Sequence, residues 1–393
     1  MHFIFLQTVN AQHELPFVIQ NMGHKVSFLP NYCFDPNDVL ENQPLSVVKD
    51  FLAGDDTVDI IITYQFHPVI SDLCESMGKY YFSWIYDSPQ SALFHRAAFN
   101  SCNRIFVFDS AEVGRLKKLG DINVYYLPLA ANTDRTNGLE VTEEDEKKYA
   151  CDISFVGNFY EKNLYNKLHE KLPDYLLNSI SRYVDEFMCD WRDVRPWFEF
   201  SENECRELQK LYPVRMIQGS LFPVSAYYAY ELVCLHLGEI ERKLCLEALA
   251  SCYEVDVYTK WANPDIPGIR LHPEAPYYTE LGKVYACSKI NLAFTLPSIE
   301  TGIPLRIWDI LSYGGFALTN YQKDLNGVFE DGKDLAVYRD LQDLIDACGY
   351  FLTHEKERLT IALNGYKKLN EMHDMKKRVE SMLETISPAS SKE

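Results

Sequence analysis

The sequence predicts an α/β protein built from two doubly wound domains, and three observations predict it. In the first third, short β-rich runs alternate with helical segments that close on glycine. That alternation belongs to a parallel sheet covered on both faces. After a charged stretch at 139–150 the pattern restarts, with a strand and a glycine loop in "CDISFVGN". The chain of 393 residues, 47% of them hydrophobic, has enough apolar surface for two mid-sized cores.

The elements follow in order. Strands are expected at 3–6, 25–29, 58–63, 80–86, 104–108 and 123–127, where β-branched and aromatic residues cluster. The first, in "MHFIFLQTVN", has no basic flank and too short an apolar run for a signal peptide or membrane anchor, so it reads as a buried strand. "LPFVIQNMG" and "HPVISDLCESMG" read as helices stopped by glycine. These make a first domain over 1–138. The segment 139–150, "LEVTEEDEKKYA", is a charge run without apolar periodicity and is expected to link the domains. The second domain, 151–370, opens with a strand at 153–156 and carries a helix-rich insertion to about 250. Strands resume at 255–258, 290–294 and 316–319. A C-terminal helix in "HDMKKRVESMLETI" and a polar tail occupy 371–393.

A net charge of −19 argues against nucleic acid or an anionic membrane as the main partner. No stretch reaches the roughly 20 apolar residues of a membrane-spanning helix. Eleven scattered cysteines, with no C-x-x-C pair, fit the reduced thiols of a cytoplasmic protein. Neither G-x-G-x-x-G nor G-x-x-x-x-G-K-[ST] occurs, which disfavours a dinucleotide fingerprint and a P-loop. No D-x-D follows a strand, so a metal-held nucleotide sugar is not expected.

The stretch "ETGIPLRIWDILSYGGFAL", 300–318, reads as a helix entered through Pro304 and stopped at Gly314-Gly315. Arg306 then lies in its first turn, against the positive end of the helix dipole. A cation is reasonable there if an anion shares the place, because helix N-termini bind phosphate and Arg adds a bidentate fork. Asp309, three residues on, shares that face and could accept from vicinal hydroxyls such as a ribose diol. The plainer alternative is an Arg306–Asp309 surface pair. Gly157 ends a strand in "ISFVGN", where a backbone without Cβ can approach a phosphate, and Lys162 could add charge. A lone V-G-N is a weak signal that reads first as a tight turn, and Lys162 could simply face solvent.

In the first domain, polar residues fall at strand ends: Asn10, His67, Asp87 and the Asp109-Ser110 pair. His95 follows Asp87 by eight residues, about two helical turns, so both could face one cleft. Each aspartate is also a good turn or cap residue, and His67 before Pro68 could be a loop histidine.

"YYFSWIYDSPQSALF", "NRIFVFDSAEVGRLKKLG", "YYLPLAAN", "DISFVGN", "SKINLAFTLPSIETGIPLRIWDILSYGGFALTNYQ" and "HEKERLTIALNGYKKL" together resemble the spore-maturation-type (CgeB-like) glycosyltransferases. The likeness runs in order over nearly the whole chain, leaving 160–237 unmatched. It implies a GT-B architecture, with two Rossmann-like domains facing a cleft and the sugar nucleotide held mainly by the second. It implies that Arg306 meets the donor diphosphate. It also puts Asp309 where related retaining enzymes carry the second glutamate of an E-x7-E motif, which grips the ribose. Glu300 stands nine residues before Asp309, and Thr301 takes the first glutamate's register. Ala293 replaces an Asn common in the wider group.

The reading is therefore a cytoplasmic, metal-independent glycosyltransferase of the hexosyl- or N-acetylhexosaminyl-transferase class. It would use a UDP-sugar, no other cofactor, and a protein, glycan or lipid acceptor. Donor-binding candidates are Gly157, Asn158, Lys162, Lys260, Ser298, Thr301, Gly302, Ile303, Pro304, Arg306 and Asp309. Asp87 is the preferred general base if the reaction inverts, then His67, with His95 beside them. The rivals are a sugar-nucleotide epimerase or hydrolase and a nucleotide-sugar-binding protein without turnover.

Overall fold

The computed structural model describes residues 1–8, 14–34, 45–189, 191, 198–260 and 264–386. The chain forms two compact units. The first comprises Met1–Asn132, Arg215–Pro223 and the residues from Asp374 onward; the second comprises Thr133–Val214 and Val224–His373.

Among the described residues of the first unit, six parallel strands form one sheet: β1 (His2–Thr8), β2 (Lys25–Phe34), β3 (Ile60–Tyr64), β4 (Tyr80–Ile85), β5 (Asn103–Val107) and β6 (Val124–Tyr126). Their order is β2-β1-β3-β4-β5-β6. Every residue of β3 is buried, as "IIITY" requires of a strand covered on both faces. The chain runs outward from β1 to β2 and then returns to the other side of β1 as β3. The switch point, where doubly wound sheets bind ligands, therefore lies at the carboxyl ends of β1 and β3. The helix Pro68–Met77 starts on a proline and stops at Gly78, whose φ of 62° allows its N–H to reach the Cys74 and Glu75 carbonyls.

The first unit also recruits sequence from far away. The C-terminal helix Met375–Glu384 packs here, with the buried Arg378 donating from Nε to the Pro128 carbonyl at 2.9 Å. The segment Arg215–Pro223 belongs to it too. The Leu221 N–H donates to the Phe94 carbonyl, the Arg96 N–H donates to the Gly219 carbonyl, and the Phe94 and Phe222 rings lie 5.2 Å apart.

The second unit's described strands are β7 (Cys151–Val156), β8 (Val255–Thr259), β9 (Ile269–Pro273), β10 (Ser288–Ala293), β11 (Ala317–Asn320) and β12 (Ala336–Tyr338). They are all parallel, in the order β12-β11-β10-β7-β8-β9. Counted from β7 this is the 3-2-1-4-5-6 order of a dinucleotide-type sheet, with its switch point between β7 and β10. Ile153, Phe155, Val257, Ile290 and Leu318 fill its core together with Leu246 and Phe351 from the covering helices. The helix-rich stretch builds a second core of its own around Leu176, Ile180, Leu208, Tyr228 and Leu232.

Two strands and one helix go beyond the sequence reading. β9 has the polar sequence "IRLHP" and an exposed edge, and side chains hold it to β8. Arg270 donates from Nη2 to Asp256 at 2.6 Å, and His272 Nε2 lies 2.5 Å from the same carboxylate. β12 spans only Ala336–Tyr338. The charge run at 139–150 contains the helix Glu143–Tyr149, entered through a capping box of Thr142 and Asp145. It lies against the helix Leu281–Cys287, where Asp145 pairs with Lys283 at 2.9 Å and Tyr149 donates to Glu280 at 2.7 Å. Among the described residues no helix is long and apolar enough to cross a membrane.

Candidate functional site

In the second unit the switch point is held by a residue that sequence reasoning missed. Arg242, on the helix Leu235–Ala250, is only 5% exposed. Its guanidinium donates to the Asn158 carbonyl after β7 and, at 3.0 Å, to the Phe294 carbonyl after β10. It also lies over the rings of Tyr160 at 4.4 Å and Phe155 at 5.6 Å. One buried cation thus satisfies a carbonyl just beyond each of the two strands that flank the switch point. Glu239, three residues before it, offers a plain helical ion pair, so nothing in the local sequence marked Arg242 out.

The glycine after β7 is needed for a local reason. A Cβ on Gly157 would come 2.7 Å from Cζ of Phe155, and the Gly157 N–H is already bonded to the Tyr258 carbonyl at 3.0 Å. Gly157 thus has a packing reason of its own, beside the approach to phosphate read from the sequence. Asn158 is exposed and caps the turn, its Oδ1 accepting from the Tyr160 N–H at 2.8 Å. Lys162 is exposed; Lys260, also exposed, has Glu274 at 3.5 Å.

The loop entering the 306 helix is largely buried, including Ser298, Thr301, Gly302 and Ile303. The Thr301 carbonyl accepts from the Asp324 N–H and the Ile303 carbonyl from Trp308 Nε1, so these residues shape the loop. Glu300 lies within electrostatic reach of the buried Cys234, whose segment Ala229–Cys234 is π-helical. The helix is Leu305–Ser312, with Pro304 at the N-cap in an extended conformation (ψ 153°), one position earlier than the sequence placed it. Arg306 remains in the first turn.

Arg306 and Asp309 come together in a polar cluster that the sequence only half revealed. The half-buried Arg306 donates from Nη1 to Tyr285 Oη at 2.5 Å. Asp309 is 3% exposed and accepts from Tyr277 Oη at 2.9 Å. It is therefore no surface partner of Arg306, and its carboxylate is turned toward protein rather than water. Arg135, from the turn Thr133–Thr136, donates to the hydroxyls of Tyr277 (3.3 Å) and Tyr313. Its guanidinium packs over the rings of Tyr277, Tyr278 and Tyr313 at 5.0–5.6 Å. Burial pushes Asp309 up to about 6, against the opposing pull of Arg306, the Tyr277 hydroxyl and Arg135. At neutral pH one carboxylate thus stands among two guanidinium groups, which leaves the cluster net positive. The tyrosines of "APYYTELGKVYAC" were the legible hint; Arg135, more than a hundred residues away, had none.

In the first unit, Asp87 lies just beyond β4 and is exposed. Its Oδ2 accepts a short hydrogen bond from Gln65 Nε2. Surrounding protein pushes its carboxyl upward by desolvation. Gln65 directly follows β3 and has φ 63°, a left-handed conformation that costs a residue with a Cβ about 1–2 kcal/mol. The same side chain accepts from the Tyr86 N–H at 3.3 Å, and its own N–H donates to the Trp84 carbonyl at 2.9 Å.

The other candidates in this unit have structural duties. His67 is 1% exposed, its Nε2 3.2 Å from the Tyr64 carbonyl, and burial lowers its pKa to about 4. Its ring is thus buried and committed to the Tyr64 carbonyl rather than presented to solvent. His95 does not share a helix with Asp87, because the 3-10 turn Ser91–Leu93 intervenes. It is buried, its Nδ1 accepts from the Ala97 N–H at 3.0 Å, and its Nε2 therefore donates to the Gln218 carbonyl at 2.8 Å. Nε2 thereby fastens the Arg215–Pro223 segment, while Nδ1 caps the turn Arg96–Phe99. Asp109 caps the helix Ser110–Leu119 through Ala111 N–H at 3.0 Å and accepts from Ser88 Oγ at 2.9 Å. Beside it Glu112, pushed up to about 8 by burial and by Asp109, accepts from the Gln90 N–H. Asn10 lies outside the described residues.

With this geometry established, the chain was compared with known proteins. Residues 242–384, which include Arg242, Arg306 and Asp309, match the model of the glycosyl transferase-like family. No curated protein matches the chain by sequence. Among solved structures, a glycosyltransferase from Rickettsia africae is similar with TM-score 0.58 and 9% identity, over 98% of this chain and 97% of that one. HepE from Anabaena, in complex with UDP-glucose, is similar with TM-score 0.56 and 10% identity, over 98% and 99%. A sucrose-phosphate synthase from Thermosynechococcus elongatus gives 0.56 and 9%, over 98% and 97%. The chain has the GT-B fold. Likeness at this level of identity establishes the architecture expected from the sequence and leaves the chemistry to the residues.

The buried His67 gives a test of its structural role. Its folded pKa lies below the ordinary 6.5, so the unfolded chain binds more protons between pH 6.5 and about 4. Stability must fall as the solution is acidified through that window, by up to about 3 kcal/mol from this residue. Glu112 works in the opposite sense over a higher range, so the comparison is between variants. In urea denaturation, His67→Asn should lose less stability than the parent between pH 7 and pH 4. Equal losses would show that His67 reaches water.

Proposed function

We propose that this protein is a glycosyltransferase that moves a sugar from a UDP-linked donor to a protein, glycan or lipid acceptor. The observation that carries the reading is Arg306, in the first turn of the helix Leu305–Ser312 and inside the 242–384 match to the glycosyl transferase-like family. HepE, a GT-B neighbour, has been crystallised with UDP-glucose and with UDP, which supports a UDP donor here. The narrower likeness to the spore-maturation-type enzymes, which runs in order over nearly the whole chain, and a cytoplasmic, metal-independent reaction belong to the same proposal.

In this reading the second unit holds the donor. The N–H groups that open the 306 helix and the Arg306 fork take the diphosphate, and the positive cluster stabilises the charge that gathers on it as the glycosidic bond breaks. Asp309 holds Tyr277 and balances the two arginines. For it to grip the ribose, its carboxylate would exchange the Tyr277 hydroxyl for a ribose hydroxyl. The first unit binds the acceptor. In an inverting transfer the acceptor oxygen attacks C1 of the sugar and its proton passes to the Asp87 carboxylate. The bond from C1 to the phosphate oxygen breaks with its electron pair leaving on UDP. A retaining transfer does not need that base, and Asp87 would then position the sugar.

Three measurements follow. Arg306→Ala should weaken UDP and UDP-sugar binding alike by about 10- to 150-fold in titration calorimetry, the worth of a charge-assisted bidentate contact. Arg306→Lys should recover only part of that loss, because an ammonium lacks the fork. Unchanged UDP affinity in Arg306→Ala would remove the proposed donor site.

Transfer should persist in EDTA, since Arg306 and the helix N-terminus supply the positive charge that a metal would otherwise bring. A loss of activity restored by magnesium or manganese would refute this part.

Asp87→Asn should fold normally and bind UDP as the parent does, but turn over about 10²-fold more slowly or worse if Asp87 is the base. Full activity would reduce Asp87 to a turn residue. A donor panel read by released nucleotide and by product analysis also separates transfer from epimerisation, hydrolysis and binding without turnover.

A further inference from the structure

Among the described residues only Gln65 and Tyr160 combine a side chain with a positive φ, at 63° and 58°. Each follows a strand at the switch point of its own sheet, Gln65 after β3 and Tyr160 after β7. Tyr160 has a packing reason, since the Arg242 guanidinium lies over its ring and its carbonyl caps Asn163. Gln65 is different. Its backbone bonds, Thr63 Oγ1 to its carbonyl and its N–H to the Trp84 carbonyl, would survive in glycine, which adopts this φ without strain. What glycine would lose is the side chain, and that side chain holds the Tyr86 N–H with Oε1 and the Asp87 carboxylate with Nε2.

We propose that Gln65 is a positioning residue for Asp87. Its strained backbone is kept because only from there does one amide grip both the chain entering Asp87 and the carboxylate itself. Backbone strain that persists where a less strained residue would fit marks a functional constraint. The grip fixes Asp87 Oδ2 and thereby aims the other carboxylate oxygen. An N–H pointing at the carboxylate also favours its charged form, the form that accepts a proton from the acceptor hydroxyl. The loop carrying Asp87 is anchored a second time downstream, where Ser88 donates to Asp109 and the Gln90 N–H donates to Glu112. The titratable and charged neighbours on the elements packed there are thus Asp109 at the N-cap and Glu112 and Arg115 on the helix Ser110–Leu119, with Tyr86 beside Asp87. This inference rests on the reading of Asp87 as the acceptor-activating group.

The test uses Gln65→Gly and Gln65→Glu in the full chain. Gln65→Gly removes strain, so its thermal midpoint should equal or exceed the parent's, while kcat falls about 10- to 10²-fold, as for a misplaced catalytic group. UDP affinity should not change, and the acid limb of the kcat/KM profile should move to higher pH. Gln65→Glu sets a like charge against Asp87 and should move that limb further, with activity returning as pH rises. A purely structural role predicts the reverse for Gln65→Gly: a lower midpoint with kcat and the acid limb unchanged, and that result overturns the proposal. Titration of 13C-labelled aspartate by NMR, with Asp87 assigned through Asp87→Asn, gives a readout that needs no transfer activity. The Asp87 midpoint should rise in Gln65→Gly; an unmoved midpoint also overturns the proposal. Full activity in Asp87→Asn would instead count against the base itself.

Discussion

The second unit depends on the buried guanidinium of Arg242. A parallel sheet ends in a row of carbonyls, and at the switch point the two central strands diverge without further pairing. Buried carbonyls left unsatisfied there are costly. Arg242 bonds one carbonyl just beyond each of β7 and β10 and lays its guanidinium over the rings of Tyr160 and Phe155. A lysine could not serve both carbonyls and the ring faces, because it lacks the planar fork. The helix that carries Arg242 is pressed against the same loops. A Cβ at Gly238 would come 2.7 Å from Leu296. With this edge fixed, the loop from Phe294 to Pro304 enters the next helix in a set direction, and Arg306 is delivered to its first turn.

Around that turn the charge balance decides what the unit can hold. Two arginines surround one carboxylate; the Tyr277 hydroxyl joins Arg135 to Asp309, and Arg306 donates to Tyr285. Burial alone would drive Asp309 to its neutral form, and the arginines and Tyr277 hold it to about 6. A net positive cluster at a helix N-terminus is the arrangement that a diphosphate, with its dispersed negative charge, is suited to neutralise.

The first unit works by restraint. Histidines that looked available are committed: His67 to the interior, His95 to fastening Arg215–Pro223. Asp109 and Glu112 lie buried under the loop they anchor. Of the acidic and histidine candidates described, Asp87 is the one left exposed, and a left-handed Gln65 reaches it from the neighbouring strand end.

The sequence by itself determined the fold class and most of the strands. Runs such as "IIITY" and "INLAF" can be satisfied only as strands buried on both faces, and buried strands separated by helices must be parallel. It also determined the first-turn position of Arg306, because Pro304 and the 3.6-residue period locate the helix locally. β9 escaped notice because its polar residues are stabilised by partners on β8, fourteen residues back in the case of Arg270 and Asp256. The partners of Arg306 and Asp309 were decided by tertiary structure alone. Arg135 meets Tyr277 across 142 residues, and Arg242 meets Asn158 across 84. Availability was decided there too, since His67 and Asp87 look alike in a strand-end motif and differ only in what the fold lays over them. A local pattern reports what a residue can do; burial and long-range hydrogen bonds, which no window of sequence contains, select which residues are free to do it.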